Sequence, residues 1–146
     1  MKTLPVTLVL ATIAFAADHP DFTGTWKMEV SKTDDSKGPP PRITRRVSKE
    51  GNVITMTEIQ HRDGKQSTII RLFSTDGTVV RGKLNGQPIA TRGMWNGDKL
   101  VSDTMIGDTN TLHEVWTMSE DGRTWTNEMV FDGHPSKAVF TRQYLP

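Results

Sequence analysis

Glycine-centred turn signals recur from residue 49 to residue 135: "KEGN" (49–52), "RDGK" (62–65), "TDGT" (75–78), "LNGQ" (84–87), "WNGDK" (95–99), "IGDTN" (106–110), "EDGR" (120–123) and "FDGHP" (131–135). Asp-Gly and Asn-Gly pairs supply the positive-φ residues that tight hairpins need. Between them lie short runs rich in Val, Ile, Thr, Trp and Phe, too short for helices and without a helical period. The spacing predicts ten strands, at 22–30, 42–49, 53–61, 66–73, 79–83, 88–95, 99–106, 110–118, 123–131 and 137–144.

Alternation supports these strands. Phe22, Gly24, Trp26, Met28 and Val30 share one face, and Trp125, Asn127, Met129 and Phe131 share another. Hairpins in unbroken succession make sequential strands antiparallel neighbours. The expected fold is all-β, an antiparallel up-and-down barrel of eight to ten strands, since closure removes exposed strand edges. Such a barrel encloses either a filled core or room for one small ligand. The one long connection, "SKTDDSKGPPPR" (31–42), carries three consecutive prolines, which forbid a helix and so exclude a helical lid.

Residues 1–16 read as a signal peptide. Lys2 opens it, an apolar stretch runs from Leu4 to Phe15, and Ala14-Phe15-Ala16 is a small-x-small cleavage pattern. The barrel domain is then 17–146, and the expected location is periplasmic or secreted. The stretch is too short to read as a membrane span. The chain has no cysteine, so disulfides, thiolate metal sites and a cysteine nucleophile are excluded. Removing residues 1–16 takes Lys2 and no acid, leaving as many basic as acidic residues. That balance gives no reason to expect nucleic acid or an anionic membrane as partner. The basic run "RITRRVSK" (42–49) reads first as a solvated strand and second as an anion-binding patch.

Catalytic signals are lacking. His19, His61, His113 and His134 show no metal-ligand spacing, and no nucleophile-elbow, phosphate-loop or dinucleotide motif occurs. No enzyme activity, cofactor or metal is assigned. Trp26, Trp95, Trp116 and Trp125, with Met28, Met56, Met94, Met105, Met118 and Met129, fall on strands, as suits an apolar pocket or an ordinary core. In "FTRQY" (140–144), alternation puts Arg142 on one face with Phe140 and Tyr144. A buried guanidinium needs a partner. Two partners remain open: a ligand carboxylate held together with the Tyr144 hydroxyl, or an aromatic ring such as Trp26 plus backbone carbonyls.

Two short pieces carry a resemblance. Gly24-Thr25-Trp26 in "DFTGTWKMEV" resembles the Gly-x-Trp opening strand of the calycin superfamily (lipocalins, avidins and fatty-acid-binding proteins). Arg142 and Tyr144 resemble the Arg-x-Tyr pair with which fatty-acid-binding proteins hold a lipid carboxylate. The chain is similar to small secreted bacterial lipocalin-like proteins. It departs from the fatty-acid-binding proteins in having no helical lid and no further arginine in "NTLHEVWTM" (110–118). The resemblance implies a lipocalin-like barrel that binds a small, mainly apolar ligand, with or without a carboxylate, through Arg142, Tyr144, Trp26 and Met28. It also offers stacking of Arg142 on Trp26 as a purely structural role. The alternative is a secreted protein-interaction or protease-inhibitor module with a filled barrel, using residues 17–21 or the 31–42 linker. The oligomeric state is left open.

Overall fold

A computed structural model describes residues 18–33 and 39–144. The signal-peptide reading of residues 1–16 lies outside the described residues. Ten strands form one antiparallel sheet: Gly24–Met28 (β1), Arg42–Glu50 (β2), Val53–Arg62 (β3), Lys65–Ser74 (β4), Asp76–Leu84 (β5), Gln87–Asn96 (β6), Lys99–Ile106 (β7), Asn110–Met118 (β8), Thr124–Phe131 (β9) and His134–Gln143 (β10). Every expected strand is present. The strand order is β4-β3-β2-β1-β10-β9-β8-β7-β6-β5, so the first and last strands pair and the meander turns back on itself. In that closing ladder Trp26 lies opposite Arg142 and Met28 opposite Phe140.

The expectation of hairpin pairing throughout fails at one place. β4 and β5 follow each other in sequence but stand at the two ends of the strand order, so no ladder joins them. The "TDGT" turn is the cause. Thr75 donates its backbone N–H back to Asn52, and the β5–β6 register shifts between Asp76 and Val79. Ser74 bridges the gap. Ser74 Oγ donates to the Thr78 carbonyl and accepts the Gly93 N–H at 2.9 Å, tying β4 to β6. Gly93 is required there, because any Cβ would collide with the Ser74 carbonyl.

β5 and β10 each begin three residues before the expected start, and both ends of the first strand move inward. β1 starts at Gly24, because Phe22 leaves the strand to cover one end of the barrel, where its ring meets Trp116 and Trp125 edge-on with centroids 5.4 Å away. Val30–Lys32 leaves the strand direction as a single 3-10 turn. Its neighbours pin it to β10: Glu29 N–H donates to Val139 O at 2.7 Å, and Thr33 Oγ1 accepts the Val139 N–H at 3.2 Å.

The core is asymmetric along the barrel axis. Phe22, Trp26, Met56, Phe73, Leu100, Trp116, Trp125 and Phe140 are buried in one continuous cluster filling the half nearest residues 18–24. Toward the other end, beside the start of β2, inward positions such as Ile43, Ile69, Leu112 and Met129 are only half-buried, Ile43 and Met129 packing against the cluster. Burial of the inward positions thus falls from one end of the barrel to the other. We predict that Gly93→Ala lowers unfolding stability by roughly 1–3 kcal/mol, measured by denaturant titration. A loss no larger than that of an exposed glycine would show that the Ser74 bridge does not hold the gap.

Candidate functional site

Halfway along the interior the apolar core gives way to charge. Ile43-Arg45-Val47, Ile54-Met56-Glu58-Gln60, Ile69-Arg71-Phe73 and Leu112-Glu114-Trp116 are four inward-facing rows, each with one charged residue whose neighbours, Gln60 apart, are apolar. Arg45 is 4% exposed and Glu114 is fully buried. Four such charges inside one small barrel demand partners, since an unpaired buried ion is very costly.

The partners are other members of the set. Arg45 Nε donates to Glu58 Oε2 at 2.7 Å across the β2–β3 ladder, and Gln60 Nε2 donates to Glu58 Oε1 at 2.6 Å. Arg71 reaches from β4 to β8, two strands that are not neighbours, and donates through Nη2 to Glu114 Oε1 and to Thr104 Oγ1 at 3.3 Å. Asn127 Nδ2 donates to Glu114 Oε2 at 3.0 Å, and Thr104 exchanges a hydrogen bond with Thr91 at 3.0 Å. Both guanidiniums also lie on rings. Arg45 sits 4.2 Å from the Phe140 centroid and 4.9 Å from that of Trp125, and Arg71 sits 4.6 Å from that of Phe73.

The electrostatics follow from this pairing. Burial pushes the Glu114 carboxyl up, but the Arg71 guanidinium and its hydrogen bond, the charge of Arg45 and the Asn127 amide outweigh it. The net effect holds Glu114 below the usual carboxylate range. Burial likewise opposes ionisation of Glu58, and Arg45, Gln60 and Arg71 overcome it. The four buried charges sum to zero among the described residues.

Among the described residues, five buried polar atoms in this region have no hydrogen-bond partner: Arg45 Nη1, Ser102 Oγ, Trp116 Nε1, Trp125 Nε1 and Asn127 Oδ1. The residues that carry them adjoin the charged pairs or one another. The Trp116 and Trp125 rings lie 4.5 Å apart, Arg45 covers Trp125, Asn127 is the cross-strand partner of Trp116, and Ser102 is opposite Glu114. Each of these atoms is buried and has no partner among the protein's own described groups, which is uncommon for a buried polar group.

The residues named from sequence do not converge on this site. Arg142 lies at the packed end with its guanidinium 4.3 Å from the Trp26 ring centroid. Its donors are taken by three carbonyls, of Gly122 at 2.9 Å, Thr23 at 2.6 Å and Asp21 at 2.7 Å. This is the stacking arrangement, and it gives the Gly-x-Trp motif its physical reason. Gly24 holds φ at +125°, and a Cβ there would lie 3.2 Å from Arg142 Nη1. Tyr144 is 67% exposed and no hydrogen bond joins it to Arg142. Trp26 and Met28 are core residues, and the Trp26 indole donates to Phe22 O at 2.8 Å.

The 42–49 run also needs correction. Arg42, Arg46 and Lys49 are exposed, as a solvated strand requires, but Arg45 is buried and belongs to the interior network. Away from the network, a concavity of about 400 Å³ lies at the packed end between residues 18–23, Val47, Lys49, Ile54 and Trp95. There the His19 ring stacks on Trp95 with centroids 4.4 Å apart.

Two predictions follow from these pairings. Arg71→Met leaves Glu114 buried and unpaired, which costs about 3–5 kcal/mol at neutral pH. The variant has a characteristic sign with pH. In the parent protein Glu58 and Glu114 have lowered folded-state pKa values, so their stabilising contribution fades as pH falls below about 4.3. In the variant, burial without Arg71 raises the Glu114 pKa, so stability recovers as the pH is lowered from 7 toward about 5. Chemical denaturation at several pH values reads both slopes, and parallel profiles would contradict the pairing. Arg142→Ala removes the donor for three carbonyls and is expected to cost at least about 2 kcal/mol, again by denaturation. A stability change near zero would show that the stack is incidental.

No family model matches the chain, and no curated protein is similar to it in sequence. Solved structures are similar in shape. Fatty-acid-binding protein 1 of Echinococcus granulosus superposes with a TM-score of 0.64 at 13% identity, covering 84% of this chain and 98% of that one. Human cRBP IV gives 0.64 at 16% identity, with 84% and 98% covered. A secretary abundant heat soluble protein of Ramazzottius varieornatus gives 0.66 at 10% identity, with 87% and 98% covered. The chain therefore has the calycin-type fold of the fatty-acid-binding-protein barrels.

Proposed function

We propose that this protein is an exported barrel that carries one small, mainly apolar ligand in its interior. The observation that carries the reading is the set of unmatched buried polar groups on Arg45, Ser102, Trp116, Trp125 and Asn127, next to inward residues that are only half-buried. Packed apolar residues in place of a buried charge network are often neutral or stabilising, so its presence supports a role beyond stability. Among structures of the same shape are a fatty-acid-binding protein and a fatty acid transporter, REP1-NXSQ, which supports an interior ligand. A periplasmic or secreted location rests on the signal-like residues 1–16 alone.

The interaction-module reading has less support. It uses residues 17–21 as a free insertion segment, yet residues 18–22 are docked on their own barrel. His19 lies on Trp95, Asp21 O accepts from Arg142, and Phe22 is buried. Nothing comparable favours a partner for the prolines of the linker.

Purified protein is expected to bind a neutral environment-sensitive dye such as Nile red saturably, one per chain, with quenching of tryptophan fluorescence. Weak, non-saturating binding would contradict an interior site. When the full-length chain is expressed in a host with a general secretory pathway, intact mass spectrometry of the exported fraction is expected to report a chain beginning at Ala17. Retention of the full-length mass in the cytoplasm would contradict export.

A further inference from the structure

We infer that the interior selects a ligand whose polar end is uncharged and accepts hydrogen bonds (an alcohol, ketone, ester or amide oxygen) and disfavours a carboxylate. This rests on the carrier reading above and narrows it to a ligand class.

Charge balance is the first ground. Arg45 and Arg71 are the buried cations among the described residues, and each already has a carboxylate: Glu58 for the first, Glu114 for the second. A ligand carboxylate entering this interior would make three anions share two cations. It would also lie close to Glu58 or Glu114, and like charges at such range disfavour ionisation of one of them. The place where the fold resemblance would put an anion clamp contributes nothing to offset this. Arg142 is engaged with three carbonyls at the far end, and Tyr144 is outside.

The unmatched atoms are the second, independent ground. Three are donors only, Arg45 Nη1 and the indole nitrogens of Trp116 and Trp125. One, Asn127 Oδ1, is an acceptor only, and Ser102 Oγ can be either. Donors exceed acceptors, so the complementary group is an oxygen with lone pairs. The single acceptor matches a ligand hydroxyl or amide N–H. A site built around such groups rejects an analogue that leaves them unpaired far more strongly than a plain apolar pocket does.

The test is competition against bound Nile red on the full chain, using three competitors with one tail: dodecanol, N-methyldodecanamide and dodecanoate. At about pH 7.5, where dodecanoate is ionised, the alcohol and the amide are expected to displace the dye at least about tenfold more effectively. Dodecanoate should improve as the pH is lowered and it becomes neutral. Glu58→Gln frees the Arg45 charge and is expected to swing the preference toward dodecanoate by about tenfold or more. In that variant dodecanoate should also raise the thermal midpoint more than dodecanol does, a readout that a merely loosened fold would not give. Glu114→Gln is the second variant should the first not fold. Dodecanoate as effective as dodecanol in the parent protein, or no displacement by any competitor, overturns the inference and leaves the carrier reading standing. Absence of saturable dye binding overturns both.

Discussion

A guanidinium that reaches across the barrel sets the terms for the rest of the interior. Arg71 on β4 meets Glu114 on β8, spanning strands that never pair, so the ion pair fixes the barrel's width at that level as well as its charge. Its desolvation can be tolerated because Glu114 also accepts from Asn127, Arg71 also donates to Thr104, and Phe73 faces the guanidinium. The Arg45–Glu58 pair is built in the same way from a cross-strand neighbour, with Gln60 completing the carboxylate and Phe140 under the cation. Below this level the barrel is an aromatic core, and above it the inward residues are only half-buried. The polar layer thus lies where the aromatic core meets the half-buried inward residues, and the Trp116 and Trp125 rings border it.

The packed end explains why the chain can hold such a layer without a disulfide. β1 contributes only Gly24–Met28, yet its pairing with β10 joins the two halves of the meander. That short ladder is reinforced from outside the hydrogen-bond pattern. Arg142 lies across Trp26, and its three carbonyl contacts bind residues 21–23 and the β8–β9 turn to the last strand. Gly24 is what lets the arginine pass. The weaker seam is β4–β5, where a serine hydroxyl and a glycine stand in for a ladder.

Most of the architecture was legible in the sequence because turns and alternation are local signals. Asp-Gly and Asn-Gly fix where the chain reverses, and two-residue periodicity fixes which residues face inward. The missing β4–β5 ladder was not legible, since "TDGT" looks like any other hairpin turn until Thr75 is seen to bond Asn52. The site was only half legible. Arg142 beside Phe140 is an arginine on an apolar face, and its partner turned out to be structural. Arg45 between Ile43 and Val47, and Arg71 between Ile69 and Phe73, show the same pattern on their own strands. What sequence could not supply was the pairing. Residues 71 and 114 meet through the closure of the barrel, and no local pattern encodes that distance.

The central claim is that unmatched donors in the interior meet the ligand, and the indole N–H groups report on it directly. Proton–nitrogen correlation spectra of the four tryptophan indoles, recorded with and without dodecanol, separate the possibilities. Trp26 is the internal reference, because its indole is already bonded to Phe22 O. The account predicts that the Trp116 and Trp125 indole resonances shift on binding while that of Trp26 stays in place. Unchanged Trp116 and Trp125 signals, with movement only at Trp95, would mean that the ligand sits at the packed end and that the interior is not the site.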